Sequence, residues 1–302
     1  MEKKAETKEV FNAGLSAAKA FEIAGVPAVL VPEGASVSTF EKLLTRDKPL
    51  RTVANPTLRS TQQFVDYFNR FANEDSTIYV NVDAAKFKGV IDHFGANDTN
   101  NGEHTLTYTC PETEEWQQWK RMNSEWMSQE QLSEFLQDHH LQIIKPTPEM
   151  FKVQEQDVVF DKLPDGAKML EIAQTLAVTS NSAITSGKNL HNGAMKFEYN
   201  EDIEGRAGAK GEFEIPTYFV IGVELFKDGK AYLILCRFRY RKDGPNLRLR
   251  FEMVRPHKTH EHAVRDVINQ IQNGKTVEDP ETGEITVDER TKMKCGHLYE
   301  IV

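Results

Sequence analysis

Five arginines alternate along two neighbouring stretches of chain, and the chemistry they point to is anion recognition. The first stretch is Ala231-Tyr-Leu-Ile-Leu-Cys-Arg-Phe-Arg-Tyr-Arg241, and the second is Leu247-Arg-Leu-Arg-Phe-Glu-Met-Val254. Between them lie the turn formers Lys242-Asp-Gly-Pro-Asn246, so the pair reads as a β-hairpin. Side chains alternate along a strand, which gives Arg237, Arg239 and Arg241 one face and Arg248 and Arg250 the same face of the partner. With Lys242 and Leu247 flanking the loop, Arg241 falls opposite Arg248, Arg239 opposite Arg250 and Arg237 opposite Glu252. Cys236, Phe238, Tyr240, Leu249, Phe251 and Met253 make the other face, a core face. Like charges directly opposite are destabilising, so an anion is expected over the ladder.

That anion has two sources. Guanidinium forks match phosphate and stack on bases, which makes a basic sheet face a platform for nucleic acid or for a protein partner. Single-strand platforms place aromatics beside the charges, whereas here Phe238, Tyr240 and Phe251 fall on the core side. The favoured expectation is therefore ion pairing within the protein, to Glu212, Glu214 or Glu224 or to an acidic segment. Residues 111–161 hold eleven acids and four bases, and residues 227–258 hold ten bases and three acids. These balances of −7 and +7 can meet within one chain or between copies.

Other residue sets are weaker. Trp116, Trp119 and Trp126 sit among acids and read as core packing or, alternatively, as a partner surface. His257, His260, His262, Cys295 and His297 resemble a zinc set, but the histidines straddle a helix start and fan apart, so no metal is expected. Asp83, Asp92 and His93, with Glu198 and Glu201 farther along, offer carboxylates for a metal-dependent nuclease without a recognised spacing. The glycine-rich Gly205–Gly211 precedes a strand rather than a helix and reads as a connection. No phosphate-loop, dinucleotide or nucleophile-elbow motif is present, so no catalytic residue and no cofactor are expected.

The elements that must position these residues are α+β. The N-terminal region, 1–145, is mixed: a helix over 11–24, strands near 26–32, 77–82, 90–94 and 103–109, and helices opened by Ser60, Thr113 and Ser128. Residues 146–165 contain Pro146, Pro148 and Pro164 and read as a hinge. Residues 166–274 read as a helix capped by Asp165, an antiparallel meander over 183–254, and a covering helix over 259–272 that ends at Gly274. Residues 275–302 form a tail with a small hairpin turn at Asp279–Gly283. The chain has 302 residues, is 39% hydrophobic, carries a net charge of −9 and has three scattered cysteines. No apolar run approaches a membrane span and the N-terminus is charged, so a reduced cytoplasmic setting and no membrane partner are expected.

Several short motifs occur in an order that resembles the YfdQ-like family of phage and prophage proteins. They are Ile91-Asp-His-Phe94, Thr107–Trp119, Trp126–Leu136, Met169-Leu-Glu-Ile-Ala173, Phe197-Glu-Tyr-Asn-Glu201, Phe238-Arg-Tyr-Arg241 and Glu252-Met-Val-Arg255. The resemblance covers most of residues 60–270. It implies viral origin, a bacterial host cytoplasm and a gene setting of recombination and host takeover, with no reaction and no site residues attached. The expectation is an accessory protein that binds a host defence or DNA-metabolism component, or nucleic acid. A self-assembling homo-oligomeric scaffold and the metal-dependent nuclease are the alternatives.

Overall fold

The computed structural model describes residues 20–23, 26–29, 53–93, 102–150, 158–179, 183–189, 194–200, 210–243, 246–278 and 285–301. The chain separates into two compact units, residues 1–52 and 53–302. In the first, β1 (Ala20–Ile23) pairs antiparallel with β2 (Val26–Val29), with Ile23 opposite Val26. Ala20–Ile23 is thus a strand where a helix was expected. Phe21 and Ile23 alternate with Glu22, the spacing of a strand. Residues 11–19 of that expected helix lie outside the described residues.

The second unit is α+β. Its first sheet has the order β16-β4-β5-β6-β3. The strands are β3 (Thr57–Leu58), β4 (Thr77–Asn81), β5 (Lys86–Val90), β6 (Thr105–Thr109) and β16 (His297–Ile301). β5 therefore ends where a strand over 90–94 was expected to begin. Helix α1 (Thr61–Phe71) buries Phe64, Val65 and Phe68. Ser60 caps it by accepting from the Gln63 amide, while Gln63 accepts from Arg59 N, so the capping box is offset by one residue.

Helix α2 (Glu114–Met122) is capped by Thr113, and α3 (Gln129–His139) by a complete Ser128–Gln131 box. Next come β7 (Ile143–Ile144) and α4 (Gly166–Thr179), with Asp165 accepting from the Lys168 amide. The expected meander divides into two sheets. One is β10-β9-β8, from β8 (Ala183–Asn189), β9 (Ala194–Asn200) and β10 (Lys210–Pro216). The other is β13-β12-β11-β7, from β11 (Tyr218–Glu224), β12 (Ala231–Asp243) and β13 (Asn246–Met253). Helix α5 (Pro256–Asn273) covers the core with Ala263, Val264, Ile268 and Ile271 and stops at Gly274, φ +90°. β14 (Lys275–Glu278) and β15 (Ile285–Asp288) form the small C-terminal hairpin.

One hydrophobic core runs from Phe64 and Phe87 to Phe219 and Phe251. Trp119 stands at its centre, with ring centroids 4.8 Å from Phe135, 5.2 Å from Phe251 and 6.0 Å from Phe219. β7 belongs to the sheet of β11, and β16 returns to lie parallel to β4 in the first sheet. Residues 297–301 of the expected tail are thus part of that sheet. Gly296 makes the entry into β16 at φ +86°, where a Cβ would collide with the Ser76 carbonyl, and His297 N donates to that carbonyl at 2.8 Å.

Candidate functional site

The β12–β13 register is the expected one: Arg237 opposite Glu252, Arg239 opposite Arg250 and Arg241 opposite Arg248. Cys236, Phe238, Leu249, Phe251 and Met253 are buried in the core, as the alternation requires. Tyr240 is 38% exposed, because the hairpin projects past the core at that point. On the other face Arg239 Nε lies 3.2 Å from Glu252 Oε2, and Arg250 pairs with the same carboxylate. Arg237 Nε donates to the Tyr218 hydroxyl at 3.0 Å, with its guanidinium over that ring. Among the described residues Glu252 is the acid that neutralises the ladder. Glu214 lies in the other sheet and Glu224 pairs with Ala231, at the far end of β12 from the arginines. The Glu212 side chain lies outside the described residues.

Sequence reasoning placed no aromatic beside these charges, but the fold brings one from another segment. Residues 123–127 run along the free edge of β13. Ser124 N donates to Phe251 O, Met127 N to Leu249 O, and Leu249 N back to Met127 O. Four residues on this segment, 124–127, answer three on β13, 249–251, the signature of a bulge, and Ser124 absorbs it at φ +68°. Met127 faces the core beside Leu249, so Trp126 turns to the arginine side. The guanidinium carbons of Arg241 and Arg250 each lie 4.5 Å from the centroid of the Trp126 ring. The contact arises from a pairing across more than one hundred residues, and no local pattern announces it.

The rest of this sheet face is closed. Val220 and Leu235 are covered by Leu163 and by the partly buried Phe160 and Val158. Beside Arg237, a cavity of about 550 Å³ is lined by Tyr218, Lys145, Lys162 and Lys168 together with Asp161, Asp165 and Glu214. The acidic and basic segments are neighbours: Lys227 N donates to Pro111 O at 2.9 Å and Thr113 N to Leu225 O at 3.1 Å. They also meet through the Asn123 side chain, which accepts from Met253 N at 2.8 Å, through Trp126, and through the packing of Trp119 and Phe135 on Phe251.

Trp116 and Trp119 are 2% and 0% exposed and lie in the hydrophobic core. Their i, i+3 spacing on α2 puts both on its buried stripe. Trp116 also lines a cleft of about 710 Å³ formed by the β4–β5 turn, α2, the start of α5 and the end of β16. Asp83, Glu112, Lys120 and His260 face this cleft. His260 packs edge-on to Phe226, and burial pushes its imidazole below its ordinary value, against the opposing pull of Glu112 and Asp83.

The proposed nuclease set does not converge. Asp83 precedes β5 and Asp92 follows it, and five extended residues span about 17 Å. Asp92 accepts from the His104 amide at 3.1 Å, and His93 meets the Tyr79 hydroxyl at 2.8 Å. Glu201 and residues 205–209 lie outside the described residues. Among the described residues no group of histidine, cysteine and carboxylate side chains could hold a metal, so His257, His260, His262, Cys295 and His297 do not gather.

The second unit thus carries an α+β core, an arginine–tryptophan sheet face and a separate polar cleft. The chain belongs to the family described as uncharacterized conserved protein (DUF2303), which matches residues 2–281. No curated protein and no solved structure matches it. No helix among the described residues is long and apolar enough to cross a membrane.

Proposed function

We propose that this protein acts by binding, and that the β12–β13 face holds single-stranded nucleic acid. The observation that carries the reading is Trp126 among the five arginines, with Arg241 and Arg250 at its ring. Stacking surface beside guanidinium donors is the combination that tracks a sugar–phosphate backbone and its bases. Arg239 and Arg241 are exposed, so phosphates reach them without opening the core. The face is local and the whole chain carries −9, which favours a short bound segment over nonspecific coating. The motif order supports a YfdQ-like phage or prophage protein of the bacterial cytoplasm, where DNA metabolism or host defence supplies such strands. Self-assembly has less support, because the opposite-charge segments already pack together within one chain.

Binding of labelled single-stranded DNA across a salt series tests the reading. Five arginine–phosphate contacts give a log–log slope of roughly −3.5. Arg239→Glu should weaken binding by about tenfold or more while the circular dichroism spectrum stays unchanged. Equal affinity of variant and parent would overturn the assignment.

A further inference from the structure

The first sheet of the second unit packs one face on α1, and its other face sets aromatic rings beside cations. Alternation fixes which residues share that outer face. Ile78, Val80, Phe87, Leu106 and Tyr108 are buried in the core, so Tyr79 and Asn81 on β4 and Lys86 and Lys88 on β5 point away from it. On β16 Leu298 packs against the core, which sends Tyr299 to the side of Tyr79. The register places Tyr299 beside Tyr79, Tyr79 beside Lys88, and Asn81 beside Lys86 in the next row. The row of Thr77 and Val90 is buried, but these two rows are open: Tyr299 is 53% exposed and both lysines are exposed. The rings of His297, Tyr299 and Tyr79 follow one another with centroids 6.1 Å and 6.3 Å apart and planes within 33°. A hydrogen bond of 2.8 Å between the Tyr79 hydroxyl and His93 holds the inner ring. Among the described strand residues this face has no carboxylate, and neither lysine forms an ion pair.

We infer that this face is a second platform for single-stranded nucleic acid, built on a different sheet from the β12–β13 face. Bases stack on Tyr299 and Tyr79, and phosphates reach Lys88 and Lys86. The complementarity selects this occupant. An apolar partner would bury two ammonium groups without a counter-charge, which is costly. An acidic peptide would answer the lysines but bring no planar groups to the rings, whereas a nucleotide brings both a π-face and a phosphate. The inference does not rest on the arginine reading, because it shares no residue with that face. Two cations make this the weaker and less salt-sensitive platform, with a log–log slope of roughly −1.4 against roughly −3.5 for five arginines. One chain then holds two strand segments at once.

The test is titration and ultraviolet crosslinking of the full chain with iododeoxyuridine-substituted oligothymidylate at about 0.5 M salt, where the arginine face is the more weakened of the two. Crosslinked peptides should contain Tyr299 or Tyr79. Tyr299→Ala should weaken this salt-resistant binding by about tenfold, and Tyr299→Phe should leave it unchanged, because the ring and not the hydroxyl carries the stacking. Lys88→Glu, an exposed change on β5 that leaves the core untouched, should weaken it by about fivefold. Arg239→Glu should leave the salt-resistant binding and its crosslinks in place, which tells the two faces apart. Crosslinks confined to the segment of Trp126 would overturn this inference and leave the arginine reading standing. Salt-resistant binding that survives both Tyr299→Ala and Lys88→Glu, or no crosslink at either tyrosine, would also overturn it.

Discussion

Trp116 and Trp126 lie ten residues apart and end in opposite electrostatic settings. Trp126 leaves a bulge onto a flat strand face where charges of one sign accumulate and are relieved by stacking and by one shared carboxylate. Trp116 leaves a helix into a concave seam where charges of both signs pair off and negative charge is in surplus. The difference follows from backbone geometry. Strand alternation aims every second residue at the same surface, so one sign can repeat along a ladder. A cleft built from several elements brings unrelated residues together, and complementary pairs survive there because unpaired charge close to a low-dielectric wall is costly.

Tryptophan truncation draws the widest contrast. Trp119→Ala removes the centre of the core and should destabilise the protein by about 3–5 kcal/mol, whereas Trp126→Ala forfeits two partly exposed cation–π contacts worth about 1–2 kcal/mol together. Urea midpoints measure both, and equal losses would mean that Trp126 is a core residue after all. A smaller effect comes from the shared carboxylate. Glu252→Gln leaves Arg239 and Arg250 facing each other and should cost about 1 kcal/mol at low salt, less at about 1 M salt where repulsion is screened. The same variant should bind single-stranded DNA more tightly, and a weakening there would break the picture of a partly self-neutralised ladder.

Protonation separates the two regions most finely. Burial lowers the His260 pKa in the folded state, so the folded protein prefers the neutral ring. The associated stability is therefore present above the unfolded value near pH 6.5 and is lost as pH falls through it toward the folded pKa. His104, also lowered by burial, acts in the same direction. Urea unfolding at pH 7.5 and 5.5 should show a smaller acid loss in His260→Gln than in the parent, with His104 keeping it above zero. An unchanged acid loss would mean that His260 is solvated in the folded state. No histidine belongs to the arginine ladder, so stability changes there should follow salt instead.

What was legible in the sequence was local. The turn formers at 242–246 and the strict alternation beside them fix a register, and each arginine meets the partner they imply. Caps at Thr113 and Ser128, and the stop at Gly274, are written in neighbouring residues and stand where they should. The long-range facts were not legible. Nothing near Trp126 encodes the edge of β13, and the choice of Glu252 over Glu214 or Glu224 depends on which strands share a sheet. Residues 20–23 carry enough alanine-rich context to read as helix, yet their β-branched and aromatic residues pair as a strand. The cleft was missed because its walls come from four separate stretches of chain.

The placement of β16 governs how the protein is made. His297 pairs with Thr77 and Ile301 with Asn81, a separation of 220 residues at each step. On a ribosome adding roughly 5–20 residues per second, β4 waits about 10–45 s for its outer neighbour. During that wait the sheet presents an unpaired edge, the geometry that recruits strands from other chains. Crowded polysomes, slow codons and chaperone supply therefore bear on the yield of this protein.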